Sequence, residues 1–379
     1  MEFLAALRFP RRNDVERFET AFALEMGQKH AIAFPYGRTG LILLLEALGL
    51  KDREIICPAY TCVVVPHAIV YSGNKPVFVD CAIDDFNMDL DLVEKSINEK
   101  TGAIIATSVF GYPVNLDKLD KIRKKYQHIY IIQDCAHSFS AEWKGRPVQC
   151  EGVAAVFGLN ISKMITSVFG GMITTDDTTT YEKLMDIRAR QLEKSGWAKE
   201  VKRLMYLAAV YMAFCSPAYL LVNLFERVGL LNMFTKYYDE SRIDMPKDYL
   251  VAMTTVEARV GIENLKRLKD IYKLRRQAAE YYLQQLKNIN GIILPKNLSG
   301  ATFSHFVIQV EKRDSWLKKG VKKGVQLGQL IEYSIPEMKA YGSLPSERYP
   351  NAAKYARCTI NLPVFGGEKI SRKVISKIL

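Results

Sequence analysis

Residues 133–176 read QDCAHSFSAEWKGRPVQCEGVAAVFGLNISKMITSVFGGMITTD, and this stretch decides the fold. The apolar run 129–132 leads into it and is followed by an acid, Asp134. A second apolar run, 153–159, leads to a lysine, Lys163. Buried strands of an open α/β sheet deliver functional side chains at their carboxyl ends, in one shared crevice. We therefore expect Asp134 and Lys163 to face the same crevice.

An acid and a lysine placed in this way are the pair that pyridoxal phosphate (PLP) chemistry needs. The lysine bonds to the aldehyde carbon of the cofactor, and the carboxylate keeps the pyridine nitrogen protonated so that the ring can accept electrons. The plainer interpretation is a surface lysine after a strand and an aspartate that caps a turn, because both residue types are common there. Several linked motifs favour the catalytic interpretation.

The motifs resemble the signature of the DegT/DnrJ/StrS-type sugar aminotransferases, which are PLP-dependent. That signature runs acid-x-Ala-Gln, Lys-Gly, Phe-Ser-Phe-x-x-x-Lys and Gly-Gly. The corresponding residues here are Asp134-Cys135-Ala136-His137, Lys144-Gly145, Phe157-Gly158-Leu159-Asn160-Ile161-Ser162-Lys163 and Gly170-Gly171. The resemblance implies that Lys163 and Asp134 are the catalytic residues, and that Lys163 acts as general base once the amino donor has displaced it from the cofactor.

The resemblance also implies a phosphate site at residues 36–40, YGRTG, which open an apolar helix at 41–48. A glycine-rich turn at a helix N-terminus presents free backbone N–H groups and the positive end of the helix dipole. We expect Gly37, Arg38 and Thr39 to bind the cofactor there. Arg38 stands where the family has a threonine, and its guanidinium either binds the phosphate or forms an ion pair elsewhere.

Contacts to the cofactor ring are expected from two further places. Tyr60, Thr61 and Cys62 correspond to a turn of the family in which the residue after the threonine is often aromatic and stacks on the ring. Here that residue is Cys62, so either its thiol or Tyr60 covers the ring. His137 replaces the glutamine of the family, and it either donates a hydrogen bond to the phenolate oxygen of the cofactor or is a buried core imidazole.

The chain departs from the family pattern at several positions. Gly158 replaces a phosphate-binding serine, Leu250 and Ala252 replace an asparagine and an arginine, and the loop 333–338 lacks the usual histidine. These departures favour a non-catalytic or regulatory relative with a decayed cofactor site, whereas the surviving Asp–Lys pair favours an enzyme. A sugar dehydratase that uses PLP or pyridoxamine phosphate is the other alternative, but that subgroup has histidine where this chain has Lys163.

Strands alternate with helical segments along residues 30–175, which predicts an α/β fold with a mostly parallel sheet and helices on both faces. The resemblance implies the fold of aspartate aminotransferase-like PLP-dependent transferases. We expect a large PLP-binding domain at 1–261, interrupted by an apolar insertion at about 190–245. A smaller α+β C-terminal domain at 262–379 is expected to follow, with strands at 306–310 and 359–362.

The 379 residues carry a formal net charge of +12 at pH 7, and 49% of them are hydrophobic, which is ordinary globular composition. A basic surface suits phosphorylated or nucleotide-linked substrates and anionic lipid. No nucleic-acid-binding motif accompanies the charge, so no nucleic-acid partner is expected.

The seven cysteines are odd in number, and no pair has zinc-site spacing with a histidine. We therefore expect buried thiols in a reducing, cytoplasmic compartment and no metal.

The segment Leu204–Phe225 has no Asp, Glu, Lys or Arg in 22 residues, which is the length of a transmembrane helix, roughly 20 residues. A single crossing would separate the catalytic pair from the C-terminal domain, and Pro217 would break the helix. The segment is therefore either two short apolar helices buried against the domain or a partner subunit, or a monotopic hairpin in one leaflet, which we favour. Basic residues before it would meet anionic headgroups at the inner face of the cell membrane: Lys194, Lys199, Lys202 and Arg203.

The residues and the resemblance together predict a PLP-dependent aminotransferase. It is expected to move an amino group from glutamate to a nucleotide-linked or lipid-linked keto sugar, in glycan, polysaccharide or secondary-metabolite sugar biosynthesis. The resemblance also implies a homodimer with composite active sites.

Overall fold

The computed structural model describes residues 2–8, 11–213, 239, 241–296 and 299–379. The strands described up to residue 175 are β1 (His30–Phe34), β2 (Glu54–Pro58), β3 (Lys75–Val79), β4 (Thr101–Thr107), β5 (Tyr130–Asp134), β6 (Glu142–Trp143), β7 (Arg146–Pro147), β8 (Ala154–Gly158) and β9 (Gly171–Thr175). One seven-stranded sheet has the order β1-β9-β8-β5-β4-β2-β3, and β6 pairs with β7 in a hairpin. Only β9 runs antiparallel to its neighbours in this large sheet. The predicted mostly parallel sheet is confirmed.

Helices cover both faces of this sheet. They are α1 (Glu2–Ala6), α2 (Asp14–Met26), α3 (Gly37–Ala47), α4 (Val64–Tyr71), α5 (Leu90–Ser96), α6 (Leu116–Lys125), α7 (Thr178–Gln191), α8 (Trp197–Ala213) and α9 (Thr255–Leu265). On one face α2 and α9 contribute Phe22 and Ala258 to the core, and on the other α3 and α4 contribute Leu44 and Ala68. Every residue of β4 is buried, as expected for a parallel strand covered on both sides.

The start of α3 differs from the prediction in a way that matters for the site. The apolar pattern begins at Leu41, but the helix begins one turn earlier, at Gly37. Hydrophobic periodicity reports the buried face of a helix, and the first turn of α3 consists of Gly37, Arg38, Thr39 and Gly40, which carry no such pattern. The glycine-rich turn is therefore itself the N-terminus of the helix.

The C-terminal part is an α+β unit, as predicted. Its elements are α10 (Leu268–Leu286), β10 (Ile292–Ile293), β11 (Phe306–Val310), α11 (Arg313–Lys322), α12 (Pro350–Cys358), β12 (Thr359–Leu362) and α13 (Gly367–Ile378). The strands form an antiparallel sheet in the order β10-β11-β12. Tyr282 and Ile360 of this unit share one hydrophobic core with Tyr60 and Phe110 of the first part. Because the two parts share this core, the boundary at 261 and 262 stays a prediction.

The predicted apolar segment Leu204–Phe225 lies partly outside the described residues. Its first ten residues belong to α8, and residues 214–225 lie in the part that is not described. Among the described residues, no helix has the length and apolar character needed to cross a membrane. The predicted basic rim is wrong at two positions, because Lys199 and Arg203 are buried. The ammonium of Lys199 donates to the carbonyl oxygens of residues 251 and 252, at 2.6 and 3.0 Å.

Candidate active site

The sheet brings the predicted catalytic pair to one edge. β5 ends at Asp134, which lies opposite Val156 of the parallel neighbour β8. β8 ends at Gly158, and Lys163 follows in the next turn. A Cβ atom built on Gly158 would lie 3.4 Å from Cε of Lys163 and 3.6 Å from Cβ of Ala136. The side chain of Lys163 therefore lies across the end of β8, beside the residues that follow Asp134.

Asp134 is buried and firmly held at the end of β5. Its Oδ2 accepts a hydrogen bond from the Thr107 hydroxyl at 3.2 Å, and its Oδ1 accepts one from the Ala136 amide at 3.1 Å. Burial raises the pKa of Asp134, whereas the Ala136 amide, the Lys163 ammonium and the Thr107 hydroxyl lower it. A carboxylate can accept about four hydrogen bonds, so this one has capacity left for a protonated ring nitrogen.

Lys163 has the electrostatic surroundings of a general base. Burial lowers the pKa of its ammonium, and nearby Cys62 and Asp134 oppose the shift. A lower pKa increases the fraction of the neutral amine near pH 7, and only the neutral amine can bond to a carbonyl carbon or take up a proton.

His137 follows β5 and is buried beside Phe110. Its Nδ1 accepts a hydrogen bond from the Phe110 amide at 3.4 Å, and its ring lies parallel to that of Phe110 with 6.0 Å between centroids. Burial, with smaller effects of Lys163 and His305, holds the pKa of His137 well below its usual range. A neutral imidazole that accepts at Nδ1 carries its proton on Nε2. Nε2 is therefore available as a donor, and its hydrogen bond to the phenolate oxygen of the cofactor stays a prediction.

The N-terminus of α3 lies against the end of β8. A Cβ atom on Gly37 would lie 3.1 Å from the carbonyl oxygen of Phe157 and 3.3 Å from Cα of Gly158. The residue before the helix, Tyr36, forms no side-chain cap. The first backbone N–H groups of a helix have no acceptor within the helix, so this end can hold an anion such as phosphate.

The side chains of this turn contribute less than expected. The Thr39 hydroxyl is fully buried and donates to the carbonyl oxygen of Tyr249 at 2.8 Å, so only its backbone N–H remains for a phosphate. The expected contact of Thr39 with the cofactor can therefore come only from its backbone, and it stays a prediction. The guanidinium carbon of Arg38 lies 5.9 Å from the centroid of the Tyr36 ring, and its charge helps to lower the pKa of His67.

The turn after β2 separates the two residues that were expected to cover the cofactor ring. Tyr60 is completely buried, and its hydroxyl lies 3.2 Å from the carbonyl oxygen of Ile331 and 3.1 Å from the Thr359 hydroxyl. Its ring thus belongs to the core shared with the C-terminal part, and the expectation that it covers the cofactor is corrected. Cys62 acts electrostatically on Lys163 and is the residue of this turn beside the site. Thr61 is buried, and its role stays a prediction.

One site residue was missed by the sequence analysis. His305, which directly precedes β11, has its ring centroid 5.4 Å from that of His137. Burial, with smaller effects of Arg275 and Lys163, lowers the pKa of His305 to about 3. A single histidine before an apolar strand is a weak signal, and only the packing of the two parts brings it to the catalytic pair.

A buried ionic network behind the α3 turn was also missed. Arg203 of α8 donates to Glu257 and to Asp248, each at 2.8 Å, and its guanidinium lies 4.2 Å from the ring centroid of Phe169. The Tyr36 hydroxyl donates to the other oxygen of Asp248 at 2.7 Å. The network ties α8 and α9 to the residue that precedes the uncapped end of α3.

These residues fit the functional groups of PLP. Asp134 would hold the ring nitrogen, Nε2 of His137 the phenolate oxygen, and the N-terminus of α3 the phosphate. The Lys163 amine would bond to the aldehyde carbon. The uncapped helix end and the unused acceptor capacity of Asp134 are the observations that support this fit.

Comparisons with known proteins identify the family of the chain. The chain matches the DegT/DnrJ/EryC1/StrS aminotransferase family over residues 4–378. An uncharacterised protein of Methanocaldococcus jannaschii is 31% identical over 74% of this chain, and the chain spans 64% of that relative's length. The GDP-perosamine synthase of Escherichia coli O157:H7 is 25% identical over 93% of this chain and 85% of its own length.

Solved structures show the same fold at low sequence identity. The S. venezuelae protein DesV is 22% identical with a TM-score of 0.77, covering 99% of this chain and 91% of its own. The E. coli GDP-4-keto-6-deoxy-D-mannose-3-dehydratase with bound hydrated PLP is 20% identical with a TM-score of 0.77, covering 100% and 96%. By the match that runs through nearly its whole length, the chain belongs to the DegT/DnrJ/EryC1/StrS aminotransferase family, whose aminotransferases use PLP.

Proposed function

We propose that this PLP-dependent aminotransferase moves an amino group from glutamate to a keto sugar carried on a nucleotide or a lipid. The observation that carries the proposal is the lysine at the end of β8, which lies across the strand edge beside a buried acid at the end of β5. The family match and the similarity to a GDP-perosamine synthase support a sugar as the amino acceptor.

Asp134, His137 and Lys163 have different roles in the proposed transamination. When bound, PLP supplies an electron sink for the negative charge that develops on the substrate carbon. Asp134 would hold the proton of the ring nitrogen, and His137 would donate to the phenolate oxygen. Nζ of Lys163 would take up the proton from the α-carbon of the donor and hold it for return, for which its lowered pKa is suited.

Two rival functions fit the site less well. In a dehydratase of this family a histidine takes the place of the lysine, and this chain has Lys163. A relative with a decayed site is supported by the missing serine at Gly158 and by the Thr39 hydroxyl, which is bound elsewhere. However, the acid, the lysine and the uncapped helix end are all in place.

The proposal is tested by loading the purified protein with PLP and assaying glutamate with a panel of nucleotide-linked keto sugars. We expect a visible absorption band and amino-sugar formation, both of which Lys163→Ala removes while the protein stays folded. Lys144→Ala, an exposed lysine of the same signature, is the matched control. A Lys163→Ala protein that keeps the band and turns over substrate would refute the assignment.

A homodimer with composite active sites is part of the proposal, as the resemblance implies. Sedimentation over a range of concentrations measures the mass of the active species. A fully active protein with monomer mass at every concentration would exclude the dimer.

We also propose that the segment 204–225 contacts the cytoplasmic face of a membrane. The described part of this segment supports it, because Met205 and Met212 of α8 are 67% and 63% exposed. Apolar side chains that face solvent at helical spacing suit the boundary between headgroups and acyl chains. Fractionation of a lysate without detergent tests this contact, and a fully soluble protein at physiological salt would rule it out.

A further inference from the structure

The C-terminal part contains a basic cleft of about 490 Å³. It lies between α10, the end of β12, and α13, and His305 lines it as well. Three cations line it, Arg275, Lys373 and Lys377, and none of its lining residues is an Asp or a Glu. The volume is in the range of small-molecule sites, which hold about 300 to 1,000 Å³.

Arg275 is a half-buried cation without a carboxylate partner among the described residues. Its guanidinium donates to the carbonyl oxygen of Ser304. Burial lowers the pKa of Arg275 to about 10, which reports the cost of keeping this charge away from water. Buried arginines are usually paired with an anion, so the pairing here is incomplete.

The two lysines extend the positive field to the outer end of the cleft. Lys373 and Lys377 are four residues apart on α13, so they project from one face of the helix. Neither forms an ion pair in the described part of the chain. By contrast, the neighbouring Arg372 is paired with Glu368. Two lysines of α13 that have no ion pair among the described residues thus line the cleft.

One lining residue, His305, connects the cleft to the residues around the catalytic pair. His305 lines the cleft, and its ring centroid lies 5.4 Å from that of His137. The charge of Lys163 contributes to the lowered pKa of His305. A substrate with its reacting carbon beside Lys163 can therefore extend past His305 toward Arg275.

We propose that this basic cleft is an anion subsite, which holds a carboxylate or phosphate group of a substrate while the reacting carbon lies beside Lys163. The proposal rests on the proposed aminotransferase function. The guanidinium of Arg275 is suited to bidentate contacts with either anion, and Lys373 and Lys377 act as point charges. The anion has two chemical sources, the carboxylates of the amino donor and the phosphates of the sugar carrier.

The double variant Lys373→Ala/Lys377→Ala tests the subsite, with Lys369→Ala as the control. Lys369 lies on the same helix, is exposed and does not line the cleft. Loss of two charge-assisted contacts is expected to raise the KM of the anchored substrate at least about tenfold, with kcat within about twofold of the wild type. A rise for glutamate assigns the carboxylate, and a rise for the keto sugar assigns the phosphate. If neither KM differs more than twofold from that of the control, the proposal is overturned.

Calorimetric titrations of the PLP-loaded protein with glutarate and with inorganic phosphate keep the test independent of the sugar assay. The double variant is expected to bind one of these probes at least about tenfold more weakly than the control. Should no keto sugar be a substrate, the proposed acceptor is wrong, but the spectroscopic half-reaction with glutamate and these titrations still test the cleft. Unchanged binding of both probes, together with an unchanged KM for glutamate, would then refute the anion subsite.

Discussion

At the scale of single residues, the role of Asp134 depends on its charge more than on its shape. Asparagine can still accept the hydrogen bond of the Ala136 amide at its carbonyl oxygen, and its NH2 group can donate to the Thr107 hydroxyl. However, a neutral amide cannot stabilise a protonated ring nitrogen. We expect Asp134→Asn to fold normally and to lower kcat at least about 100-fold, measured with saturating glutamate and PLP. Asp91→Asn, at an exposed surface ion pair, is the control. Activity within tenfold of the wild type would mean that another acid faces the ring nitrogen.

His137 allows a second test at this scale, because the Phe110 amide fixes the proton on Nε2. His137→Gln keeps an N–H donor and is expected to stay within about tenfold of the wild-type kcat. His137→Leu has no donor, and the loss of one such hydrogen bond is expected to cost about 100-fold. The pH at which the visible band of the cofactor changes should rise in the leucine variant only. Equal activities and equal spectra of the two variants would contradict the role.

At the scale of elements, α8 is expected to hold the cofactor turn in place through Arg203. Arg203→Met leaves the carboxylates of Glu257 and Asp248 without their partner, which costs about 3–5 kcal/mol when the pair is buried. Tyr36→Phe removes the hydrogen bond that the hydroxyl donates to Asp248 and the one that it accepts from Arg203, at a cost of about 1 kcal/mol each. Both variants should raise the Kd for PLP several-fold, because Tyr36 directly precedes the N-terminus of α3.

Urea unfolding and titration of the apoprotein with PLP measure these two effects separately. Arg190→Met is the control, because its ion pair with Asp186 is exposed and worth little. A wild-type affinity for PLP in both Arg203→Met and Tyr36→Phe would show that the network stabilises the fold without positioning the turn.

Some elements could be predicted from the sequence alone, whereas the contacts between them could not. The strands that end at Asp134 and Gly158 lie where the apolar runs 129–132 and 153–159 predict them. These features are local, so periodicity reports them. The ionic network of Arg203 and the position of His305 beside His137 depend on contacts between segments that are distant in the sequence. No spacing in the sequence encodes them.

The turn after β2 shows the same limit within a few residues. Tyr60 and Cys62 were equivalent candidates by sequence. Which of the two side chains can face the cofactor depends on which side of the turn packs against the C-terminal part. Tyr60 packs into the core that both parts share, so it is not available. Propensities describe a residue's own segment and carry no information about a packing partner hundreds of residues away.

At the scale of the whole molecule, buried imidazoles make the fold sensitive to acid. Burial lowers the pKa of His67 to about 4, with Arg38 adding to the effect and Asp244 opposing it, and it lowers that of His305 to about 3. In the unfolded chain a histidine titrates near 6.5. Between these values the unfolded state binds protons that the folded state does not, so the free energy of unfolding falls as the pH falls from about 6.5.

The size of this acid effect can be measured by urea unfolding at pH 7 and at pH 5, a window in which few carboxylates titrate. Each imidazole that is neutral in the fold is expected to lower the free energy of unfolding by about 2 kcal/mol across this window. His67→Gln or His305→Gln should therefore lose less stability between pH 7 and pH 5 than the wild type, whatever its stability at pH 7. His128→Gln changes an exposed histidine and should follow the wild-type pH dependence. If all three variants lost as much stability as the wild type, the imidazoles of His67 and His305 would have to titrate alike in the folded and unfolded states.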